Sequence, residues 1–376
     1  MALAPDGASL TAGWQVMIER NRGLYGIWAD FIERQGPAIA HTENYNRLSI
    51  IQPAAHPTHP WTGLILSTFS VGIWYNVINQ FMIQRVLGAK NMYHARMGIV
   101  LAGYMKILMP AIVVVPGLIL FAHPAASNLL EAPLEELRAG GADRGYVQLL
   151  HMLLPVGVRG LFLAALVGAI QSTINSVLNS TATVVTLDIY KRHLHKQASE
   201  KTLIRVGRGS TVIILALSIL LAGWIKHTDR PLFVYIQELY AFFAPPFSAV
   251  FLLGILSRRI NAQGAIAGIA FGFPFGLAMK VFFEWGAVPP WLLWAMPYAM
   301  QGILNWLICS IICLTVSLAT APPRPEQITD QLALNLRKLN IFDDLGTRWY
   351  NHVLLWWGIF AVGVLALVVV FSGLWW

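Results

Sequence analysis

The sequence predicts an all-α integral membrane protein with about eight transmembrane helices, and three observations predict it. Apolar residues make up 56% of the 376 positions and charged residues 12%, so apolar surface far outruns the polar residues needed to cover a water-soluble globule. Eight apolar stretches are candidates to cross a hydrocarbon core, which takes roughly 20 residues of helix because each backbone amide must find its partner within its own segment. The net charge of +8 falls on alternate loops, the distribution expected of a chain that weaves through a bilayer. That distribution points to a lipid bilayer rather than to nucleic acid as the partner of the positive charge.

Residues 1–60 come first and hold no clear spanning stretch. Their beginning, MALAPDGASLTAGWQ, lacks the basic region, apolar core and small-residue cleavage site of an export signal. They read as an extracytoplasmic region left after upstream helices that the sequence does not contain. The first span, Trp61 to Met82, is interrupted by Ser67, Thr68, Ser70, Asn76, Asn79 and Gln80, with Gly63 and Gly72 loosening it. Such a helix either lines a water-filled cavity, or breaks within the membrane, or uses its amides to bridge neighbouring helices.

Arg85, Lys90 and Arg96 follow and place the next loop on the cytoplasmic side. The second span, Met97 to Ala122, contains Lys106, whose ammonium costs roughly 2.5–3.5 kcal/mol at the bilayer centre and calls for a polar surrounding or a reach to the interface. An acidic loop from Ala125 to Leu154, with Glu131, Glu135, Glu136 and Asp143 outnumbering Arg138 and Arg144, fits the opposite side. The third span, Gly160 to Leu187, is rich in hydroxyls and amides. Ala169, Ser172 and Thr173 stand at i, i+3 and i+4 and share one helical face. Their oxygens suit a small hard cation, while their size equally suits close helix packing.

Lys191, Arg192, Lys196, Lys201, Arg205 and Arg208 return the chain to the cytoplasm before the fourth span, Thr211 to Ile225. The fifth, Leu232 to Leu256, carries Tyr235, Gln237 and Glu238, then Pro245 and Pro246, which lack backbone donors and should bend it. Arg258 and Arg259 are cytoplasmic again, ahead of the sixth span, Ala265 to Phe283. The seventh, Ile303 to Ala321, holds Cys309 and Cys313, the two cysteines of the chain, which read as packing residues in a setting that disfavours a disulfide. A mixed-charge cytoplasmic loop near 322–350 precedes the eighth span, His352 to Trp376, with Trp375 and Trp376 as interfacial anchors. An intramembrane enzyme is not expected, because the spans hold no paired aspartates and the chain has no HExxH or GxSxG.

The strings IWYNVINQFMIQRVLGAKNMYHA, GYMKILMPAIVVVPGLI, LPVGVRGLFLAALVGAI, LNSTATVVTLDIYK and YIQELYAFFAPPFSAVFLLGIL follow in order between about Trp61 and Ile260. Together they resemble the sodium/solute symporter family, in particular its sodium-glucose cotransporter branch. The resemblance implies a leucine-transporter-type core of inverted repeats, of which this chain would hold the second repeat at 61–260 and peripheral helices at 261–376. It implies sodium as the co-transported ion, held in part by the Ala169 carbonyl and the Ser172 and Thr173 hydroxyls. Lys106 and Gln237 match positions that hydrogen-bond the solute, Tyr75 matches an aromatic gate beside it, and Asn76 adjoins that gate.

Asn76 and Gly72 depart from the sugar pattern, so an organic anion or amino acid stands as an alternative to a sugar or inositol. A membrane sensor or subunit that binds without transporting is the reading from another class, and a separately encoded first half is a further candidate partner. On this view the chain by itself does not transport, because a rocking mechanism needs both repeats. The plasma membrane or a bacterial inner membrane is the expected location.

Overall fold

The computed structural model describes residues 10–23, 48–52, 54, 56, 59–122, 147, 149–151, 153–225, 232–329, 342–346 and 348–372. The charged residues of the acidic loop and the terminal tryptophans Trp375 and Trp376 lie outside the described residues. Within them the secondary structure is helical throughout, with no strand. Eight helices are long and apolar enough to cross a membrane.

In chain order the helices are α1 (Leu10–Gly23), α2 (Trp61–Ile78), α3 (Gln80–Leu87), α4 (Met92–Ala122), α5 (Val156–Leu194), α6 (Glu200–Ile225), α7 (Leu232–Leu256), α8 (Ala262–Trp285), α9 (Tyr298–Ala319) and α10 (Val353–Val370). Most begin or end outside their apolar runs. The Glu200–Ser210 portion of α6 carries three basic residues, Lys201, Arg205 and Arg208, and still forms helix, because a charged helical turn outside the hydrocarbon needs no apolar side chains. At 31 residues, α4 extends about 46 Å at 1.5 Å per residue, well beyond a 30 Å core.

The first predicted span stops short of Met82. Its turns widen over Thr68–Gly72 and Trp74–Ile78, and the Asn79 amide donates to the Trp74 carbonyl five residues back at 2.9 Å. Asn79 itself is extended, with φ −66° and ψ 116°, which ends α2 before α3 begins. Wide turns of this kind leave backbone groups less tightly paired and recur at functional sites. The prolines of α7 do not interrupt it: the helix runs unbroken from Leu232 to Leu256 with Pro245 and Pro246 fully buried.

By backbone contacts the chain divides into two compact units. The first comprises Met1–Asn79, Val86–Asn128 and Leu232–Trp376, the second Gln80–Arg85 and Leu129–Pro231.

Within the first unit, α7, α8 and α9 pack on one another, and α2 packs on α7 and α9. The α8–α9 seam follows from sequence. Gly264, Gly268, Gly272 and Gly276 recur every fourth residue and are all buried. They face Ser317, Cys313, Cys309 and Asn305 in reverse order along α9, so closely that a Cβ at Gly272 would fall on the Cys309 sulfur and one at Gly264 on the Ser317 hydroxyl. Small residues bring helix backbones together where lipid provides no hydrophobic drive between helices. Both cysteines are free and fully buried in this seam. At its far end Asn261 caps α8 by accepting from the Gly264 amide at 2.9 Å and donates through Nδ2 to the Ala321 carbonyl at 2.8 Å. Arg259 donates to the Thr320 carbonyl at 2.8 Å.

Also in the first unit, α4 packs on α10 and α1. Val100, Leu345 and Val353 form a small buried cluster with Tyr93, Met97 and Tyr104 against it. Residues 342–351 dock on the start of α4: the Tyr93 amide donates to Asp344 Oδ2 at 3.0 Å, the Tyr93 hydroxyl donates to the Asn351 carbonyl at 2.9 Å, and Arg96 donates to the Asp343 carbonyl. Gly346 adopts φ +101° there, and a Cβ would collide with the Asn351 carbonyl, so the turn requires glycine. Within the second unit, α5 packs on α6, and Gly207 lets the α6 backbone approach the buried Thr186 of α5.

Candidate binding sites in the two units

The residues matched to solute contacts come from α2, α4 and α7. Lys106 of α4 places its ammonium 5.8 Å from the centre of the Tyr75 ring on α2, within the range in which a cation is drawn to an aromatic face. Tyr75 in turn lies 6.3 Å from Tyr240 of α7, and Trp74 lies 5.5 Å from the same ring. The wide turn at Trp74–Ile78 helps present these two successive aromatics to α7. Gln237 stands three residues before Tyr240 on the adjoining face of α7 and is half-buried. Asn76 instead bonds within its own helix, Nδ2 donating to the Gly72 carbonyl at 2.9 Å, which uses one of its two amide hydrogens.

The arrangement offers hydrogen-bond donors beside a flat apolar face. An ammonium brings three donors, an aromatic ring a flat apolar face, and a primary amide both a donor pair and an acceptor. The sequence suggested Tyr75, Lys106 and Gln237. It left Tyr240 and Trp74 unmarked, because an aromatic in an apolar helix is indistinguishable from packing until its neighbours are known.

A second feature escaped the sequence reading. Lys280 of α8 donates to Glu238 Oε2 of α7 at 3.3 Å and lies 3.9 Å from Glu284 Oε1 one turn along its own helix. The signal was a lysine within the sixth apolar run and a glutamate within the fifth. Close by, the Tyr298 hydroxyl is buried beside Gln237 and Glu238.

The neighbouring end of α7 is covered by two histidines that precede α2. His59 stacks on Phe233 at 6.2 Å, meets Tyr298 edge-on at 5.7 Å and His56 at 5.9 Å. The His59 amide donates to His56 Nδ1 at 2.9 Å, so the neutral His56 ring carries its proton on Nε2. Burial, reinforced by the adjacent His59, lowers the His56 pKa from 6.5 to about 4. Burial lowers that of His59 as well.

In the second unit, α5 holds Ala169, Ser172 and Thr173 on one exposed face. The Thr173 hydroxyl donates to the Ala169 carbonyl at 3.1 Å, and the Ser176 hydroxyl donates to the Ser172 carbonyl at 2.9 Å. Arg85 donates to Ser176 Oγ at 2.6 Å. The structure thus brings two of the three suggested cation ligands, the Ala169 carbonyl and the Thr173 hydroxyl, into direct contact. Among the described residues no group of three or more His, Cys, Asp or Glu could hold a metal ion.

Residues 26–272 match the family described as the sodium:solute symporter family. The chain is similar to the sodium/myo-inositol cotransporter of Mus musculus, 33% identical over 300 residues that cover 75% of this chain and 41% of that protein. It is likewise similar to sodium/glucose cotransporter 1 of Ovis aries, 33% identical over 281 residues covering 70% of this chain and 42% of that protein. For the sodium/glucose cotransporter of Vibrio parahaemolyticus the figures are 33% over 288 residues, 74% of this chain and 51% of that protein. The chain therefore spans about two fifths to one half of the length of these relatives.

Proposed function

The chain belongs to the sodium:solute symporter family, and on that premise we propose that it serves sodium-coupled symport of a small polyhydroxylated solute, a sugar or inositol, by alternating access. The observation that carries this reading is the meeting of Lys106 and Tyr75 from different helices, at positions matched to the solute site. The names of the relatives, sodium/myo-inositol and sodium/glucose cotransporters, supply the solute class. As a multi-pass membrane protein of a transporter family it is assigned no enzymatic step.

In this reading the Tyr75 ring faces the C–H side of a cyclic polyol, Lys106 donates to its hydroxyl oxygens, and Gln237 supplies an amide on the α7 side. Sodium is held by the Ala169 carbonyl with the Ser172 and Thr173 hydroxyls. For Thr173 to act as a ligand its proton turns away from the Ala169 carbonyl, freeing both oxygens for the ion. Three protein oxygens are fewer than a hard cation takes, so water or further protein groups complete the shell.

The test uses the whole chain reconstituted in lipid, with myo-inositol and glucose as probes and tryptophan fluorescence as the readout. Saturable, sodium-dependent quenching that is lost in Lys106→Ala and weakened in Thr173→Ala is the expected result. Equal quenching in choline and sodium media removes the coupling. Competition by lactate or proline but not by sugars replaces the polyol by an anion or amino acid, which an ammonium in an apolar setting also suits.

A further inference from the structure

The N-terminal half of α7 is held from two opposite sides. At about 100° per residue, Glu238 and Tyr240 project nearly opposite to one another, with Gln237 on the arc between them. On one side Glu238 meets Lys280 of α8 at 3.3 Å. On the other, Tyr240 packs on Trp74 and Tyr75 of α2. Although α7 is continuous, its backbone holds this half less firmly than a complete hydrogen-bond ladder would. Pro245 and Pro246 lack the N–H groups that would bind the Ala241 and Phe242 carbonyls, so the ladder is cut at the base of that half.

The ion pair is also half-withdrawn from solvent, with side-chain exposures of 17% for Glu238 and 32% for Lys280. Removing one member of such a pair leaves the other's charge less compensated in an apolar setting, whereas removing both leaves only the carboxylate of Glu284, whose side chain is 30% exposed. Glu284, 3.9 Å from the same ammonium, keeps Lys280 on the side of α8 that faces α7.

We infer that Glu238 and Lys280 are a positioning pair: their contact across α7 and α8 sets the rotation of the N-terminal half of α7 and so aims Gln237 and Tyr240 at the Tyr75–Lys106 site. The pair acts through α7. The inference rests on the solute reading only for what Gln237 binds. The turn of the helix can be read without any solute.

The experiment compares Glu238→Gln, Lys280→Met, the neutral double variant and the charge reversal Glu238→Lys/Lys280→Glu, the last made with Glu284→Gln so that residue 280 does not meet a like charge one turn away, in the whole chain labelled with 5-fluorotryptophan. The fluorine resonance of Trp74, assigned by its disappearance in Trp74→Phe, reports the Tyr240 contact without solute. It should move in both single variants and in the neutral double, and return in the charge reversal. Where myo-inositol binds the unaltered chain, the single variants should weaken it about tenfold while the reversal restores it. The neutral double should regain its melting temperature but not its affinity. A Trp74 resonance indifferent to all four variants overturns the inference. So does a loss of affinity that follows melting temperature across the set. Failure of the unaltered chain to bind any polyol, with the resonance behaving as stated, overturns the solute reading and leaves the positioning pair standing.

Discussion

The two histidines ahead of α2 make acid sensitivity a property of single side chains. His56 is held neutral by burial and by His59, with its pKa lowered from 6.5 to about 4. An unfolded chain takes up the proton near pH 6.5, and the folded one resists it until near pH 4. Stability from this source is therefore complete above the unfolded value and drains away as pH falls through that window. The melting temperature in detergent should drop between about pH 6.5 and pH 4. In His56→Gln, whose side-chain oxygen can still accept from the His59 amide, the drop should be smaller. An identical pH profile for the two proteins would exclude His56 as its origin.

Also at this scale lies the reason why part of the site was legible in the sequence and part was not. Lys106 stood out because a charge inside an apolar run is conspicuous by itself. Tyr75 and Gln237 were visible through the strings around them. Tyr240, by contrast, becomes informative only through its neighbours Trp74 and Tyr75, which lie some 165 positions earlier in the chain. The Lys280–Glu238 contact likewise depends on the rotation of two helices, and no pattern within either span states that rotation.

Among whole elements, the α8–α9 seam makes the firmest demand. Replacing Gly272 by Ala would drive a methyl group into the Cys309 sulfur and Pro246, and overpacking of this kind costs about 1–3 kcal/mol. Gly98 of α4 has nothing within 4 Å of the same added carbon. Gly98→Ala should be neutral or stabilise by about 0.5–1 kcal/mol through helix propensity. Because Cys309 and Cys313 are fully buried, the rate at which a small maleimide labels them reports opening of the seam. Labelling should quicken in Gly272→Ala and stay unchanged in Gly98→Ala. The existence of the helices needed only hydropathy to foresee. Their ends did not follow from it, as α6 shows by starting at Glu200 rather than Thr211, since a helix leaving the hydrocarbon continues on backbone hydrogen bonding alone. The early end of α2 at Asn79 depends on wide turns that no residue pattern announces.

For the whole molecule, the alternation of basic loops assigns a side of the membrane to each connection. In the first unit, Lys90 belongs to a basic loop and Trp291, which is exposed, to the connection between α8 and α9, one crossing away from Arg258 and Arg259. A membrane-impermeant thiol reagent added outside intact cells should therefore label Trp291→Cys and spare Lys90→Cys until the membrane is opened. The reverse pattern would invert the orientation. With both native thiols buried, the background labelling is low.

The glycine seam also determines how this part of the protein responds to temperature. In water, parting two helices exposes apolar surface to a solvent that restructures around it, which gives unfolding its large heat-capacity increment and the stability curve its dome. Between α8 and α9 the surfaces that part would meet hydrocarbon, and what is lost is close dispersion contact and weak polar contact between backbones. Separation of the seam should consequently show a heat-capacity change near zero, with an association that strengthens steadily on cooling instead of passing through a maximum.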